Sequence, residues 1–323
     1  MNAAPGGYPI VMPDGSVPDL PSQGSPAAPT TPEPASKKAL DKLPFVLVHL
    51  LPLGAFWSGV TVEAVVCCIA LYFVRIFGVT GGYHRYFSHR TYKTSRVFQF
   101  LLAFLAQTSS QKGALWWASH HRRHHRYSDQ ERDPHSPVLR GFWYSHVGWL
   151  YDGTEETEWH RIKDFARYPE LVWLNRNWAL PPILLGFTVW WFLGWPGLFI
   201  GFALSTVLTW HGTFLINSLA HVVGSRRYPT DDDSRNNWFL ALLTLGEGWH
   251  NNHHHYQSSA RNGFFWWEVD GTYYVLKALS WVGLVWDLRP VPEHIKRGDA
   301  KPTPAERQAA RAAAAERAEA AAG

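Results

Sequence analysis

Long uncharged stretches of apolar residues alternate with polar segments that are rich in histidine and arginine. Residues 43–62 carry no formal charge, and residues 64–83 carry a single one, at Arg75. Residues 177–225 contain no Asp, Glu, Lys or Arg, and Gly and Pro at 194–197 signal a turn within them. A helix of about 20 apolar residues crosses a bilayer. The pattern therefore predicts an all-α membrane protein with four transmembrane helices, at about 43–62, 64–83, 178–195 and 197–217.

The segments outside these runs have different compositions. Residues 1–36 hold nine of the 22 prolines and no Lys or Arg, which predicts a disordered tail. Residues 37–290 are predicted to form one membrane domain, and residues 291–323 a polar, Ala-rich tail. The apolar stretch 98–106 is too short for a fifth span, so we predict a buried or interfacial helix there.

The positions of the basic residues predict the orientation of the spans. They lie before the first span, between the second and third, and directly after the fourth: Lys37, Lys38 and Lys42, then residues 85–176, then Arg226 and Arg227. Basic loops stay on the cytoplasmic side of a membrane. We therefore predict an integral, multi-pass membrane protein whose termini and large polar segments all face the cytoplasm.

Composition supports a membrane protein and excludes two other classes. Charged residues make up 17% of the chain, whereas about 25% is usual. The only two cysteines, Cys67 and Cys68, are adjacent and cannot cross-link distant parts of a secreted fold. The net charge of +4 is spread along the chain, so no basic stripe supports a nucleic-acid partner.

Histidine is the residue that points to chemistry, because most of the 17 histidines lie in four tight groups at predicted cytoplasmic helix ends. The groups read H-R-Y-F-S-H at 84–89, H-R-R-H-H at 121–125, N-S-L-A-H at 217–221 and G-E-G-W-H-N-N-H-H at 246–254. Clustered imidazoles of this kind are typical of metal sites.

Helical spacing places several of these side chains on shared faces, since positions i, i+3 and i+4 are neighbours. The faces hold two histidine triads and one Asn–His pair: His121, His124 and His125; His250, His253 and His254; and Asn217 with His221. His84 and His89 lie about 140° apart on an ideal helix, so both bind only if the helix ends there or if they serve different metals. Nine histidines exceed the needs of one ion, which predicts two.

The spacing leaves the metal open, because neutral imidazole binds Fe, Zn, Cu and Ni. A carboxylate-bridged di-iron bundle needs two Glu-x-x-His pairs, and only Glu247 with His250 fits. Zinc-protease, phosphate-loop and dinucleotide motifs are absent from the sequence. The other histidines are predicted to support the ligands (His120 and His255) or to be structural or solvated (His49, His135, His146, His160, His211 and His294).

These motifs resemble the integral-membrane fatty acyl desaturases of the stearoyl-CoA (delta-9) type, over about residues 43–286. D-P-H at 133–135 and S-H-V-G-W-L at 145–150 are similar as well. The resemblance implies four transmembrane helices under a cytosolic helical cap, with two iron ions held by nine histidines and one asparagine that holds a water. By motif, the implied ligands are His84, His89, His121, His124, His125, Asn217, His221, His250, His253 and His254.

The same resemblance implies that Gln111, Trp117 and Thr213 line the bend of an acyl tunnel, with no catalytic residue beyond the metal ligands. An unactivated methylene C–H is not acidic, so acid–base catalysis cannot remove it. The implied enzyme uses O2, two iron ions and two external electrons to form a cis double bond, at delta-9, in a saturated acyl chain. The implied carrier is acyl-CoA.

Two departures from the animal acyl-CoA enzymes affect the partners. A basic pair that follows G-W-L in those enzymes is replaced here by an acidic stretch from Asp152 to Glu156, which opens acyl-lipid or acyl-carrier-protein substrates as alternatives. Lys112, Arg122 and Arg123 are other candidates for CoA recognition. No H-P-G-G haem motif occurs, so a separate electron donor is predicted, either a ferredoxin or a b-type cytochrome with its reductase.

Two further functions compete with desaturation. A membrane di-iron hydroxylase or alkane monooxygenase would tend to carry Glu beside the first histidine, where this chain has Arg85. A metal transporter would place its ligands near the middle of the membrane, whereas these clusters lie at helix ends. Both alternatives are therefore disfavoured.

Overall fold

The computed structural model describes residues 35–152 and 156–298, with side chains from residue 42 onward. Most of their regular structure is α-helical. The α-helices are α1 (Ala35–Leu50), α2 (Ala55–Ser58), α3 (Val62–Phe77), α4 (Arg96–Gln107), α5 (Ala114–Tyr127), α6 (Pro137–Arg140), α7 (Phe142–His146), α8 (Lys163–Ala166), α9 (Pro169–Arg176), α10 (Leu180–Pro196), α11 (Ser205–Ser218), α12 (Trp238–Leu243), α13 (His250–His255), α14 (Gly271–Trp281) and α15 (Glu293–Lys296).

Shorter elements connect these helices. Two wider, π-helical segments follow α3 and α10, at Gly78–Ser88 and Gly197–Leu204. Turns of 3₁₀-helix lie at Leu51–Gly54, Gly148–Tyr151, Trp159–Arg161 and Leu219–His221. Strands β1 (Lys93–Thr94) and β2 (Val285–Trp286) pair antiparallel, with Lys93 opposite Trp286.

The first two predicted spans form a helical hairpin whose bounds differ from the prediction. The first apolar helix, Lys42–Ser58, ends at Gly59, whose φ of +76° is accessible to glycine but strained for other residues. The second, Val62–Ser88, begins where the Thr61 side chain accepts a hydrogen bond from the Ala64 amide. It runs five residues beyond the predicted end at 83, and His84 lies in this extension.

The third and fourth predicted spans form one helical run, Leu180–His221, that turns back on itself. Gly194 interrupts it with non-helical backbone angles of φ 62° and ψ −156°. Beyond this turn the chain packs against its own first half, with Phe202 facing Gly186 and Val189 facing Gly201. The predicted turn at 194–197 therefore matches the position of the reversal.

Two helical runs of the described residues are long and apolar enough to cross a membrane, namely Val62–Ser88 and Leu180–His221. Lys42–Ser58 is apolar but shorter. Large apolar side chains on these helices are exposed, among them Phe56 (92%), Trp57 (72%) and Phe192 (76%). Exposed apolar surface of this extent is typical of lipid contact. Four separate crossings stay a prediction.

The single charge within the second apolar run, Arg75, is fully buried between helices. Its guanidinium donates to the hydroxyls of Ser205 and Thr206 on α11 and to the backbone oxygens of Thr108 and Phe202. Because each polar contact is with protein, the charge does not face lipid. Arg75 thus joins the two apolar runs to the segment after α4.

The remaining helices form a cap, which we define as residues 89–152, 156–176 and 219–298. Its main hydrophobic core packs on the end of the second apolar run, where Tyr83 and Phe87 meet Leu102, Leu115 and Leu174. The predicted short helix at 98–106 is α4, with one face buried and one exposed, as expected for a buried or interfacial helix. The cap therefore holds α5 and α13 against the helix end that bears His84.

The predicted tails lie mostly outside the described residues. This applies to residues 1–34 and 299–323, and residues 35–36 begin α1. The described part of the predicted C-terminal tail is packed, because Val291 and Ile295 form a small core with Tyr228 and Phe264. The folded domain therefore extends beyond the predicted boundary at 290, to residue 298 at least.

Candidate metal centre

Five of the predicted ligands come together as one cluster, which we call the five-histidine group: His84, His89, His121, His125 and His253. Their ligand atoms all lie within 4.8 Å of one another. The Nε2 atom of His253 is 3.0 Å from the Nε2 atoms of both His84 and His125. The Nε2 atom of His121 is likewise 3.0 Å from those of His89 and His125.

The π-helical backbone explains how His84 and His89 join the same group. In such a segment the hydrogen bonds run from i to i+5, rather than from i to i+4. The His89 amide donates to the His84 carbonyl oxygen at 3.2 Å, so residues five apart stack along the axis. The helix also ends at Ser88. The predicted 140° separation holds for an ideal α-helix and does not apply here.

Four further histidines form a second cluster, the four-histidine group: His124, His221, His250 and His254. The Nε2 atoms of His221 and His250 are 3.1 Å apart. His124 and His125 are neighbours in sequence yet belong to different groups, as do His253 and His254. Each predicted triad therefore contributes ligands to both groups, and the two groups lie side by side.

A carboxylate lies against the Nδ1 atom of one histidine of the five-histidine group and of three histidines of the four-histidine group, and in those three it accepts a hydrogen bond from Nδ1. The pairs are His84 with Glu247 (2.6 Å), His124 with Asp133 (3.0 Å), His221 with Asp129 (2.9 Å) and His254 with Asp232 (2.5 Å). A proton held on Nδ1 leaves the lone pair of Nε2 directed into the cluster. Metal-binding histidines usually have such partners.

In these carboxylate–histidine pairs, the surroundings of the carboxylate favour its ionised form. Burial raises the pKa of Asp129, but its hydrogen bond and charge interaction with His221 outweigh burial and lower the pKa to about 2. Burial and the neighbouring His124 act on Asp133 in the same opposing way, and the net pKa lies below its usual value. The pKa of Glu247 is also lowered, because His84 and Arg85 outweigh burial.

Most of the clustered histidines are held neutral, as metal ligation requires. Burial, followed by the charges of neighbouring histidines, places the pKa of His89, His121 and His125 well below 6.5. The same causes act on His250 and His253. A neutral imidazole keeps a free lone pair at neutral pH, so these side chains are able to act as metal ligands.

The geometry of the donors fits metal ions. Two nitrogens bound at right angles to one metal, each at about 2.0–2.1 Å, are about 3.0 Å apart, and the Nε2 pairs of the five-histidine group have this separation. The Nε2 atom of His254 is buried and has no hydrogen-bond partner among the described residues. An all-imidazole set of this kind suits Fe, Zn, Cu or Ni.

The other predicted site residues lie close to these groups. The indole of Trp117 stacks on His121, with ring centroids 4.8 Å apart. The side-chain amide of Gln111 donates to Thr213 Oγ1 at 3.0 Å. Asn217 lies four residues before His221, and its carbonyl oxygen accepts a hydrogen bond from Ser145. No described contact of the Asn217 side chain tests its predicted role with water.

The histidines outside the two groups have partners of other kinds. His120 donates a hydrogen bond from Nδ1 to the Trp116 carbonyl oxygen of its own helix, and His255 stacks on Tyr228. His135 lies against His124 with ring centroids 4.4 Å apart and is 3.8 Å from Asp133, so it belongs to the surroundings of the site. Three further histidines, His49, His211 and His146, form a hydrogen-bonded chain that ends at Ser218.

Sequence reasoning assigned none of the four orienting carboxylates to the histidine that it contacts. Asp129 lies 92 positions from His221 in the chain. Asp232 lies 22 positions from His254. Only the D-P-H motif containing Asp133, nine positions from His124, and the Glu247 of the fourth motif gave any local signal.

We expect Asp133→Asn to weaken metal binding by the four-histidine group about 10- to 100-fold, because the neutral amide no longer polarises His124. Titration of the metal-free chain with Fe(II) or Co(II), followed by absorption, measures the affinity. Asp164→Asn is the matched control, since Asp164 pairs with Arg122 and with no histidine. Equal affinities in the two variants would contradict this role of Asp133.

Comparison with known proteins gives a consistent result. A family model described as fatty acid desaturase matches residues 61–268. The chain is 38% identical to Acyl-CoA 5-desaturase AL21 of Anemone leveillei over 248 residues, which cover 76% of this chain and 74% of that protein. It is 36% identical to Delta-9 acyl-lipid desaturase 1 of Arabidopsis thaliana (78% and 82% covered) and 32% identical to a Hex-5-enoyl-[acyl-carrier protein] acetylenase of Moorena producens (78% and 87% covered).

Proposed function

The chain belongs to the fatty acid desaturase family, and on that premise we propose that it introduces a cis double bond at delta-9 of a saturated acyl-CoA. The reaction consumes O2, two electrons and two protons, and it releases two molecules of water for each double bond. The observation that supports this proposal most is that two adjacent groups, one of five histidines and one of four, lie at one end of the apolar helices.

Two iron ions bound by these groups, with O2, would supply the oxidising power needed to remove hydrogens from unactivated carbon. The chain's own residues hold and orient the ligands. Glu247 fixes the ring of His84, and Asp133, Asp129 and Asp232 fix three rings of the other group. Ligand nitrogens held in this way need little rearrangement during the reaction, which favours catalysis.

Trp117, Gln111 and Thr213 are proposed to position the acyl chain. Trp117 presents its indole beside His121 of the five-histidine group, so a methylene lying against this ring is next to the metal ligands. The Gln111–Thr213 hydrogen bond joins the segment before α5 to α11 and makes a cross-link beneath that position. A tunnel bent at this cross-link would select one carbon by its distance from the head group.

We expect Thr213→Val to change the ratio of double-bond positional isomers about fivefold, since one hydrogen bond to Gln111 is worth ~1 kcal/mol. Valine nearly preserves the volume of threonine, so the thermal stability should change little. Mass spectrometry of derivatised products measures the ratio. Thr188→Val, on the exposed face of α10, is the control, and an unchanged isomer ratio in Thr213→Val counts against the tunnel assignment.

We propose four membrane crossings with both termini and the cap on the cytoplasmic side. The exposed apolar faces of the two hairpins and the reversal at Gly194 support two crossings per hairpin. The cap contains most of the arginines, which favours its retention in the cytoplasm. Cysteine labelling at the exposed Val60, on the loop of the first hairpin, tests this arrangement: an impermeant reagent should react there from outside the cell.

An acyl-lipid substrate is the second candidate, and two observations favour it. Asp152 stands where the animal acyl-CoA enzymes carry a basic residue, and it pairs with Arg140 at 2.9 Å. The chain also shares 36% identity with a relative named as an acyl-lipid desaturase. Assays of the purified chain with stearoyl-CoA and with stearoyl phospholipid, at equal acyl concentration, distinguish the two carriers.

Fatty-acid analysis of cells that express the chain tests the reaction itself. Gas chromatography with mass spectrometry, after derivatisation of double bonds, should show a new monounsaturated acid that requires O2. Cells expressing a variant with His124 and His253 both replaced by alanine should lack it. If the cells contain hydroxylated acids in place of unsaturated ones, the chain is a hydroxylase or alkane monooxygenase and the proposed desaturation is wrong.

A further inference from the structure

The five-histidine group is reached from the surface through an open cleft of about 340 Å³. The lining residues are Ser88, His89, Arg122, His125, Arg126 and Gln257. His89 and His125 are partly exposed there, whereas His124, His221 and His250 of the four-histidine group are buried. A molecule outside the protein can therefore approach the ligands of the five-histidine group directly through this cleft.

Arginines surround the aromatic ring of Tyr127, and one of them, Arg126, also lines the cleft. The guanidinium carbons of Arg126, Arg132 and Arg161 are 5.8, 5.6 and 5.9 Å from the centroid of that ring. Such cation–π contacts hold arginines in place at a surface. Arg126 follows His125 directly in the chain. The positive charge is thus positioned next to an exposed metal ligand.

Two of the arginines around the cleft are available to a partner. Arg122 is neutralised by Asp164 through two hydrogen bonds, and Arg161 pairs with Glu158. Arg126 and Arg132 are exposed and have no carboxylate partner among the residues that the structure describes. Exposed, unpaired arginines beside an aromatic ring are typical of protein–protein contact sites.

We propose that this face, which we call the arginine face (Arg126, Tyr127 and Arg132 with the rim of the cleft), is the docking site of an acidic electron-transfer protein. The inference rests on the proposed function, because that reaction needs two external electrons per double bond. Each docking event delivers one electron through the cleft toward His89 and His125, and two events complete a turnover. Negative charge on the donor complements the arginines and accelerates its encounter.

The cleft suits a redox protein better than the acyl carrier. Its lining residues are all of polar or charged type, and none of them is aliphatic. An acyl chain entering here would leave its apolar surface against charged groups, which is unfavourable. Trp117, the aromatic residue proposed to contact the acyl chain, does not line the cleft but stacks on the ring of His121. The substrate therefore reaches the centre by another route.

Binding of a defined donor tests the arginine face. The probe is an acidic plant-type ferredoxin, titrated against the full chain in lipid nanodiscs at several salt concentrations. Arg132→Glu and Arg126→Glu should each raise its Kd about tenfold and weaken its salt dependence. Arg167→Glu is the matched control, because Arg167 is exposed and lies over the Tyr168 ring at 5.0 Å on another part of the cap. Its Kd should stay within about twofold of wild type.

Several outcomes would overturn the docking site. They are the same Kd in all three variants, no saturable and salt-sensitive binding to the wild type, or a higher KM for acyl-CoA with ferredoxin affinity unchanged. Failure of the proposed reaction is detected separately, by reducing the iron-loaded wild-type chain with dithionite without O2, removing the excess reductant, and then adding O2 and substrate for a single turnover. If that reaction yields no double bond while ferredoxin binding follows the arginines, the reaction assignment fails and the docking site stands.

Discussion

Replacing His254 with alanine is expected to lower the bound iron from two ions per chain to about one and to reduce desaturation at least about 100-fold. His254 belongs to the four-histidine group, and its buried Nε2 has no hydrogen-bond partner among the described residues. Loss of the ring also removes the 2.5 Å contact between Nδ1 and the carboxylate of Asp232. Loss even of outer groups that orient a ligand commonly costs 10- to 100-fold, so loss of a ligand should cost more. Elemental analysis and product formation measure the two effects.

His255→Ala is the matched control for this experiment. His255 is the next residue of the same short helix, α13, but its ring stacks on Tyr228 with centroids 4.1 Å apart and belongs to neither group. Both variants remove one imidazole from one helix, so only the direction of the side chain differs. We expect His255→Ala to keep two iron ions. If His254→Ala keeps its full iron content and activity, the four-histidine group is not part of the metal centre that we propose.

The identity of the clustered histidines could be predicted from sequence because a helix repeats its faces every three to four residues. Their partition into two groups could not. His124 and His125 point to different groups because consecutive side chains on a helix diverge by about 100°, and the sequence does not say which neighbour each will meet. The position of His84 beside His89 depends on a π-helical segment, which the motif itself does not reveal.

The orienting carboxylates show a second limit of the sequence. Asp129 reaches His221 and Asp232 reaches His254 only because the cap folds distant segments onto the 3₁₀ turn after α11 and onto α13. Such contacts have no fixed spacing in the chain. Glu247 is different, since it lies three residues before His250, yet it contacts His84 instead. The Glu-x-x-His spacing suggested a shared helical face, whereas the backbone at Trp249 is not helical and breaks that face.

Helix positions were predictable where composition alone decides them. The turn at Gly194 and the apolar runs on either side of it follow from the absence of charge and from the Gly and Pro residues. The helix ends were less predictable, because they depend on capping and on tertiary packing. Val62–Ser88 continues beyond its apolar run because the cap buries Tyr83 and Phe87 and satisfies polar groups such as Arg85.

Arg85→Met is expected to destabilise the folded chain by about 3–5 kcal/mol, because it breaks a buried ion-pair network. Arg85 is 1% exposed and pairs with Glu247 at 3.0 Å and with Asp270 at 2.9 Å. Methionine fills part of the volume but leaves two buried carboxylates without their cation. A loss of this size lowers the Tm by about 4–7 °C in a chain of this length. Thermal unfolding in detergent, followed by intrinsic fluorescence, measures the shift.

The network also predicts a chemical consequence that separates Arg85 from an ordinary stabilising residue. Glu247 bridges Arg85 and His84, so a displaced Glu247 releases the ring of His84, and iron content should fall with stability. Arg96→Met is the control, because the Arg96–Glu170 pair has similar hydrogen bonds but lies at the surface, where an ion pair contributes little. If Arg85→Met unfolds at the same temperature as Arg96→Met, the buried network does not stabilise the site.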